Sequence, residues 1–150
     1  KTVICLGDSF DIAEGADELD ETERTWITRL QAGRRWVWIE GNHDPGPVAL
    51  GGTHLAELML GGLVFRHIAS SAPMGEVSGH YHPKVRLPLR GMTLSRPCFL
   101  YDDRRLILPA YGAYTGGLFS HEASLCALMS DAAHAILTGP RPVSLPMPRR

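Results

Sequence analysis

This chain has little that would let it cross a membrane or be stapled by disulfides. No stretch approaches the roughly 18 uninterrupted apolar residues that a bilayer span needs, and its first residues do not read as a basic-then-apolar signal peptide. Its three cysteines, Cys5, Cys98 and Cys126, are odd in number and never spaced CxxC, which argues against a zinc knuckle or a redox dithiol. Cys5 and Cys98 fall inside apolar runs and read as reduced core residues of a cytoplasmic protein. There is no internal repeat and no low-complexity tract. The remaining composition, 44% hydrophobic and 21% charged over 150 residues, is that of one globular domain with a real core.

The net charge of −1 conceals an asymmetry. Residues 1–75 carry 6 basic and 11 acidic side chains, whereas residues 76–150 carry 9 and 5. A basic second half suits a polyanionic substrate, and it equally suits scattered solvated arginines.

Periodicity gives a coarse architecture. Thr2 to Leu6 and Trp36 to Ile39 are short apolar runs that read as buried strands. Between them, 17–32 has helical spacing, with Leu19, Trp26, Ile27 and Leu30 able to share a face, acids crowding its start and Gly33 as a stop. Strand, helix and strand in succession predict parallel pairing with a right-handed crossover. Further strands are predicted over 54–60 and 63–68, joined at Gly61-Gly62, then over 76–78, 85–89, 92–94, 98–101 and 106–108. A second helix is predicted over 121–134, and late strands over 135–137 and 143–145. Residues 146–150 read as a disordered tail behind a single domain spanning 1–145.

Three blocks carry the chemistry: Gly7-Asp8-Ser9-Phe10-Asp11, Gly41-Asn42-His43-Asp44 and Gly79-His80-Tyr81-His82. Each places carboxylate, amide or imidazole groups just after a predicted strand, with a glycine where the chain must turn. Oxygen and nitrogen donors brought from several strand ends to one rim suit hard or borderline divalent metals. Each block also has a plainer reading. Asp8 could cap the following helix. Asn42, Asp44 and Pro45 are turn formers. His80 and His82 could be loop residues ahead of Pro83. In an extended segment these two histidines point the same way and Tyr81 points away. His67 closes the predicted 63–68 strand, where a lone histidine is more often structural.

In this order the blocks resemble the calcineurin-like metallophosphoesterases, whose signature runs Asp-x-His, Gly-Asp-x-x-Asp, Gly-Asn-His-Asp/Glu, His, Gly-His-x-His. The last four elements are present, with Gly41 following Gly7 by 34 residues. The resemblance implies two mixed β-sheets packed face to face and flanked by helices. It implies two divalent ions, manganese before iron, zinc, nickel or magnesium. Asp8 would bridge the ions. Asn42, His67 and His80 would join it on the second metal, and His82 would join it on the first. His43 would meet the scissile phosphate or protonate the leaving oxygen, with Asp44 orienting and charging its imidazole. His54, His121 and His134 match no position of the signature and read as surface or helix residues; the Asp11 carboxylate is assigned no metal.

The Asp-x-His element is not seen in these 150 residues. The chain opens at Lys1-Thr2-Val3-Ile4, directly in a strand pattern, so an upstream strand and first metal motif are expected outside it. Arg96-Pro97-Cys98-Phe99 and the run from Leu106 to Gly117 narrow the resemblance to the bacterial ligase-associated DNA-damage-response endonucleases, over roughly residues 2–119. That implies a DNA substrate and a functional association with a DNA ligase or helicase. Two other readings stay open: a phosphodiesterase for small nucleotides, and a noncatalytic binding subunit with an incomplete dinuclear site. The stretch from Leu108 to Gly117 could let backbone approach a ligand with tyrosines stacking on bases. A packed loop whose tyrosines fill gaps is the preferred reading.

Overall fold

The computed structural model describes residues 1–12, 14–46, 49–71, 75–89, 91–112 and 115–149. It divides into two units, Lys1–His67 and Ile68–Arg150.

In the first unit, β1 (Thr2–Cys5) and β2 (Arg35–Ile39) pair in parallel, as the predicted crossover requires, and β2 continues in parallel onto β3 (Thr53–Leu55). The two faces of this sheet follow the alternation along β2. Val37 and Ile39 face a cluster with Ile4, Leu6 and Leu55, closed by Leu58 and Phe65 of an antiparallel hairpin, β4 (Glu57–Leu60) and β5 (Leu63–Arg66). Trp36 and Trp38 face the other way, with Cys5, Ala16, Leu19, Ile27 and Leu50. Burial pushes the Cys5 thiol up to about 11, as befits a reduced core residue. The expected strand over 54–60 is broken at Ala56. Its first half completes the parallel sheet and its second half turns into the hairpin.

The helix between β1 and β2, α1 (Glu21–Gln31), starts later than its acidic lead-in suggested. Asp20 captures the Glu23 N–H while Glu23 reaches back to the Asp20 N–H, a reciprocal cap that fixes the start. Its inward face also differs from expectation. Ile27 packs on the sheet, but Trp26 and Leu30 are exposed. The positions beside Ile27 on the packed face belong to Arg24 and Gln31, which donate to the Ala16 and Leu50 carbonyls. Those bonds turn Trp26 and Leu30 to the outer flank.

In the second unit, β6 (Glu76–Ser78) runs parallel to β9 (Arg105–Ile107), which is antiparallel to β8 (Met92–Tyr101). The order continues antiparallel through β10 (His134–Leu137) and β11 (Val143–Pro146). A ribbon strand, β7 (Lys84–Leu89), pairs with the first part of β8. The two strands expected over 92–94 and 98–101 are therefore one. Pro97 does not break it, because its carbonyl still accepts from the Thr138 N–H at the point where β8 changes partners. The core gathers Val85, Cys98, Leu100, Ile107, Leu125, Met129 and Ala135, and burial pushes the Cys98 thiol to about 12.

The second helix, α2 (Ala123–Leu128), is only six residues long. Asp102 takes the Ser130 N–H at 2.9 Å, and His134 already belongs to β10, stacked on Tyr101. The described residues of the tail are packed. Pro146 ends β11, Met147 is buried with its N–H on the Ala133 carbonyl, and the Arg149 guanidinium donates to the Cys126, Met129 and Ser130 carbonyls.

The result is a mixed α/β fold with two sheets and few helices, compatible with the metallophosphoesterase fold. Among the described residues, no helix is long and apolar enough to cross a membrane.

Candidate metal centre

The loops after β1 and β2 meet at a glycine contact. Gly7 adopts a left-handed φ of 83°, and a Cβ there would overlap the His67 ring and the Gly41 backbone. A Cβ on Gly41 would overlap the Asp8 amide, the Asp8 carboxylate and the Asp44 carboxylate. Only glycines let the two loops approach this closely.

Asp44, 6% exposed, staples them. Its Oδ1 accepts the N–H of Asp8 at 2.9 Å and of Gly41 at 3.1 Å. Its Oδ2 accepts the N–H of Ser9 at 2.7 Å and of Phe10 at 3.4 Å. The carboxylate is occupied by backbone donors and holds the loop, while His43 is oriented by another group. The His43 Nδ1 lies 3.0 Å from the Asp11 carbonyl oxygen. A carbonyl can only accept, so Nδ1 carries the hydrogen. The signal was hidden because Asp11 acts through its backbone rather than through the carboxylate that completes the motif.

Asp8 stands at a φ of 47°, which costs a non-glycine residue of order 1–2 kcal/mol. Such strain concentrates where a side chain must be aimed. It is not the cap of α1, which is Asp20. The Asp8 Oδ1 accepts the His43 backbone N–H at 2.9 Å, and its Oδ2 lies 3.1 Å from the His67 Nε2. The buried His67 ring has its Nδ1 2.7 Å from the Leu6 carbonyl. Nδ1 is again the protonated nitrogen, so a neutral ring presents its lone pair at Nε2. That atom faces both Asp8 Oδ2 and, at 2.9 Å, Asn42 Oδ1.

Carboxylate oxygen, amide oxygen and imidazole nitrogen thus aim their electron pairs at one another. Without a shared cation or proton this arrangement is repulsive. Ligand atoms on neighbouring vertices of an octahedron with bonds of 2.0–2.1 Å lie roughly 3 Å apart. The observed separations match that spacing. A histidine whose other nitrogen donates to a backbone carbonyl is also the usual arrangement of a metal ligand. The donor set fits a divalent ion of the O/N-loving kind. Of the residues singled out in the sequence, Asp8, Asn42 and His67 are brought together here.

The Gly79 block lies in the second unit. Its backbone is not extended: His80 and His82 both adopt left-handed φ, at 63° and 45°, around a tight turn in which the Tyr81 N–H meets the Gly79 carbonyl. Tyr81 packs against the core, with burial raising its hydroxyl pKa and a hydrogen bond to the Ala69 backbone opposing that shift. The Leu118 N–H donates to the Tyr81 carbonyl, and Gly117 presses so closely on His82 that a Cβ would overlap its carbonyl. Two left-handed, non-glycine residues around an anchored tyrosine mark a locally strained backbone. The other histidines lie elsewhere: His54 stacks on Trp38 in β3, His121 stacks on Phe119, and His134 is in β10.

The mixed α/β fold is compatible with that of a metallophosphoesterase-like domain, and the O/N donor cluster is a possible metal site. Among solved structures, the chain is similar to the crystal structure of Pseudomonas putida nuclease MPE, with a TM-score of 0.65 and 28% sequence identity over 91% of this chain. It spans 66% of the length of that nuclease chain. No protein-family profile and no curated protein sequence matches.

Proposed function

We propose that this chain is the metal-binding core of a phosphodiesterase that cleaves nucleic acid, specifically a DNA nuclease of the ligase-associated damage-response type. The observation that carries the reading is the convergence of Asp8 Oδ2, Asn42 Oδ1 and His67 Nε2 within about hydrogen-bonding distance, with the His67 Nδ1–H held by the Leu6 carbonyl. The likeness to a nuclease supports it.

Asp8, Asn42, His67 and His80 would hold one divalent ion, with Asp8 and His82 contributing to a second; manganese is the first choice. When bound, such ions lower the pKa of a water and polarise a phosphoryl oxygen. The protein supplies placement. His43, fixed through Nδ1–H on the Asp11 carbonyl, turns Nε2 to the exposed side of the loop. In its charged form that nitrogen can donate to the leaving oxygen or to the developing charge on phosphate. Asp44 keeps both loops in register, so that adjacent residues Asn42 and His43 face different partners, one the ion and one the phosphate.

The test is hydrolysis of a labelled DNA oligonucleotide and of a small aryl phosphodiester across a manganese series. Metal-dependent cleavage of both supports the nuclease. Cleavage of the aryl ester alone points to small nucleotides, and cleavage of neither beside intact metal binding points to a noncatalytic subunit.

A further inference from the structure

A shallow depression of about 260 Å³ lies in the second unit, lined by His82, Lys84, Ser95, Gly112 and Thr115 among others. It is smaller than the roughly 300–1,000 Å³ typical of sites that engulf a whole ligand, so it suits one small group of a larger molecule. Its polar lining is cationic and hydroxylic, from Lys84, Ser95 and Thr115, beside the apolar Pro97 and Ala110.

Between Glu76 and Asp102 the sequence has not one acid, and the strand that carries Lys84 carries a second cation, Arg86. In the β7–β8 register Lys84 is opposite Pro97 and Arg86 is opposite Ser95. Alternation puts Lys84 and Arg86 on one face, while Val85, fully buried, occupies the other. Arg86 lies over the Phe119 ring, with its guanidinium carbon 4.2 Å from the centroid, which holds a second cation in place along the same strand. Tyr111 stands between two residues that line the depression, Ala110 and Gly112, and is fully exposed. The packed-loop expectation therefore fails at Tyr111: its ring fills no gap in the protein.

We propose that this depression is a strand-binding subsite that seats one phosphate and sugar of a single-stranded nucleic acid on Lys84, Ser95 and Thr115, with the neighbouring base stacked on Tyr111. The inference rests on the nuclease reading for its biological sense, because His82, there assigned to a metal, forms one wall. The volume and polar lining suit one backbone group, and the exposed ring beside it supplies the base platform. A cationic groove with an aromatic platform is sequence-tolerant, as every base has a π-face.

The test is equilibrium binding of a fluorescent single-stranded DNA oligonucleotide to the 150-residue chain in EDTA, across a potassium chloride series. Without metal no hydrolysis occurs, and binding is read alone. Each phosphate contact to a single strand contributes about −0.7 to the slope of log K against log salt. Lys84→Gln should lower the slope's magnitude by about 0.7, Lys84→Arg should restore it, and Arg141→Gln, the same charge lost at an exposed residue outside the lining, should leave it unchanged. Tyr111→Ala should weaken binding by about 5- to 150-fold. That ring is fully exposed, so its loss costs no packing. No binding by the unmodified chain, equal slopes for Lys84→Gln and Arg141→Gln, unaltered affinity in Tyr111→Ala, or equal competition by polyglutamate would each overturn the subsite. A chain that binds as expected yet hydrolyses no phosphodiester sinks the nuclease reading alone. One that cleaves DNA while Lys84 and Tyr111 prove indifferent to binding sinks the subsite alone.

Discussion

Asp44→Asn separates two accounts of a single carboxylate. If Asp44 charged His43, the change would lower turnover and leave the fold intact. The structure instead assigns its two oxygens to four backbone N–H groups. An asparagine replaces one oxygen by a donor, and either orientation turns that donor toward two N–H groups. The cheaper choice gives up Oδ2, which holds Ser9 at 2.7 Å and Phe10 at 3.4 Å. Hydrogen bonds to a charged group contribute about 1.5–3 kcal/mol each, and an opposed buried donor adds a desolvation cost. With the longer bond counted as weak, the loss is about 2–4 kcal/mol. For a chain of 150 residues that corresponds to a fall in melting temperature of roughly 5–15 °C. Thermal unfolding followed by circular dichroism, with and without manganese, reads it directly. A melting temperature within about 2 °C of the unmodified chain, together with a large loss of turnover, would refute the stapling argument and restore the original role.

Three further outcomes follow. His43→Ala should leave manganese affinity nearly intact while turnover falls by about 10²–10⁴, the range for a lost general acid or base; Asn42→Ala should weaken metal first and regain activity at high manganese, and equal rescue of both would make His43 a ligand. Asp102 is pushed up by burial, but N–H groups from Ser130, Arg104 and Arg105 outweigh that and hold its pKa below the usual carboxylate value. Its contribution is therefore present above the unfolded pKa and lost as the pH falls through the lower folded one, so the stability cost of Asp102→Asn should be full near pH 7 and shrink below about pH 4; a cost that does not vary with pH would contradict this. Isothermal titration with manganese should give fewer than two tight sites, since four proposed ligands serve one ion and two serve the other; two sites of equal affinity would show that some other residue completes the pair.

What the sequence made legible was the part governed by local pattern. The parallel β1–β2 pair and the hairpin at Gly61-Gly62 follow from apolar runs ending in turn residues, while the order of the motifs singled out Asp8, Asn42 and His67, which lie together. What it concealed depends on tertiary partners. The Leu6 and Asp11 carbonyls orient His67 and His43, yet a backbone oxygen leaves no signature in a motif. The backbone donors to Asp44 were hidden too, because they come only from the approach of the Gly7 and Gly41 loops. The alternation rule failed at His80 and His82 because Gly117 and the anchored Tyr81 force a turn there. The helical pattern over 121–134 gave way where β8 and β11 supplied His134 with strand partners.

The central claim is that Asp8, Asn42 and His67 form a divalent-metal site, and manganese binding to the 150-residue chain measured by isothermal titration tests it most directly. The account predicts one tight site in the unmodified chain, lost in His67→Ala and weakened at least about 10-fold in Asn42→Ala, the lower end of what even an outer-shell metal partner contributes. No binding by the unmodified chain, or undiminished binding by His67→Ala, would contradict it.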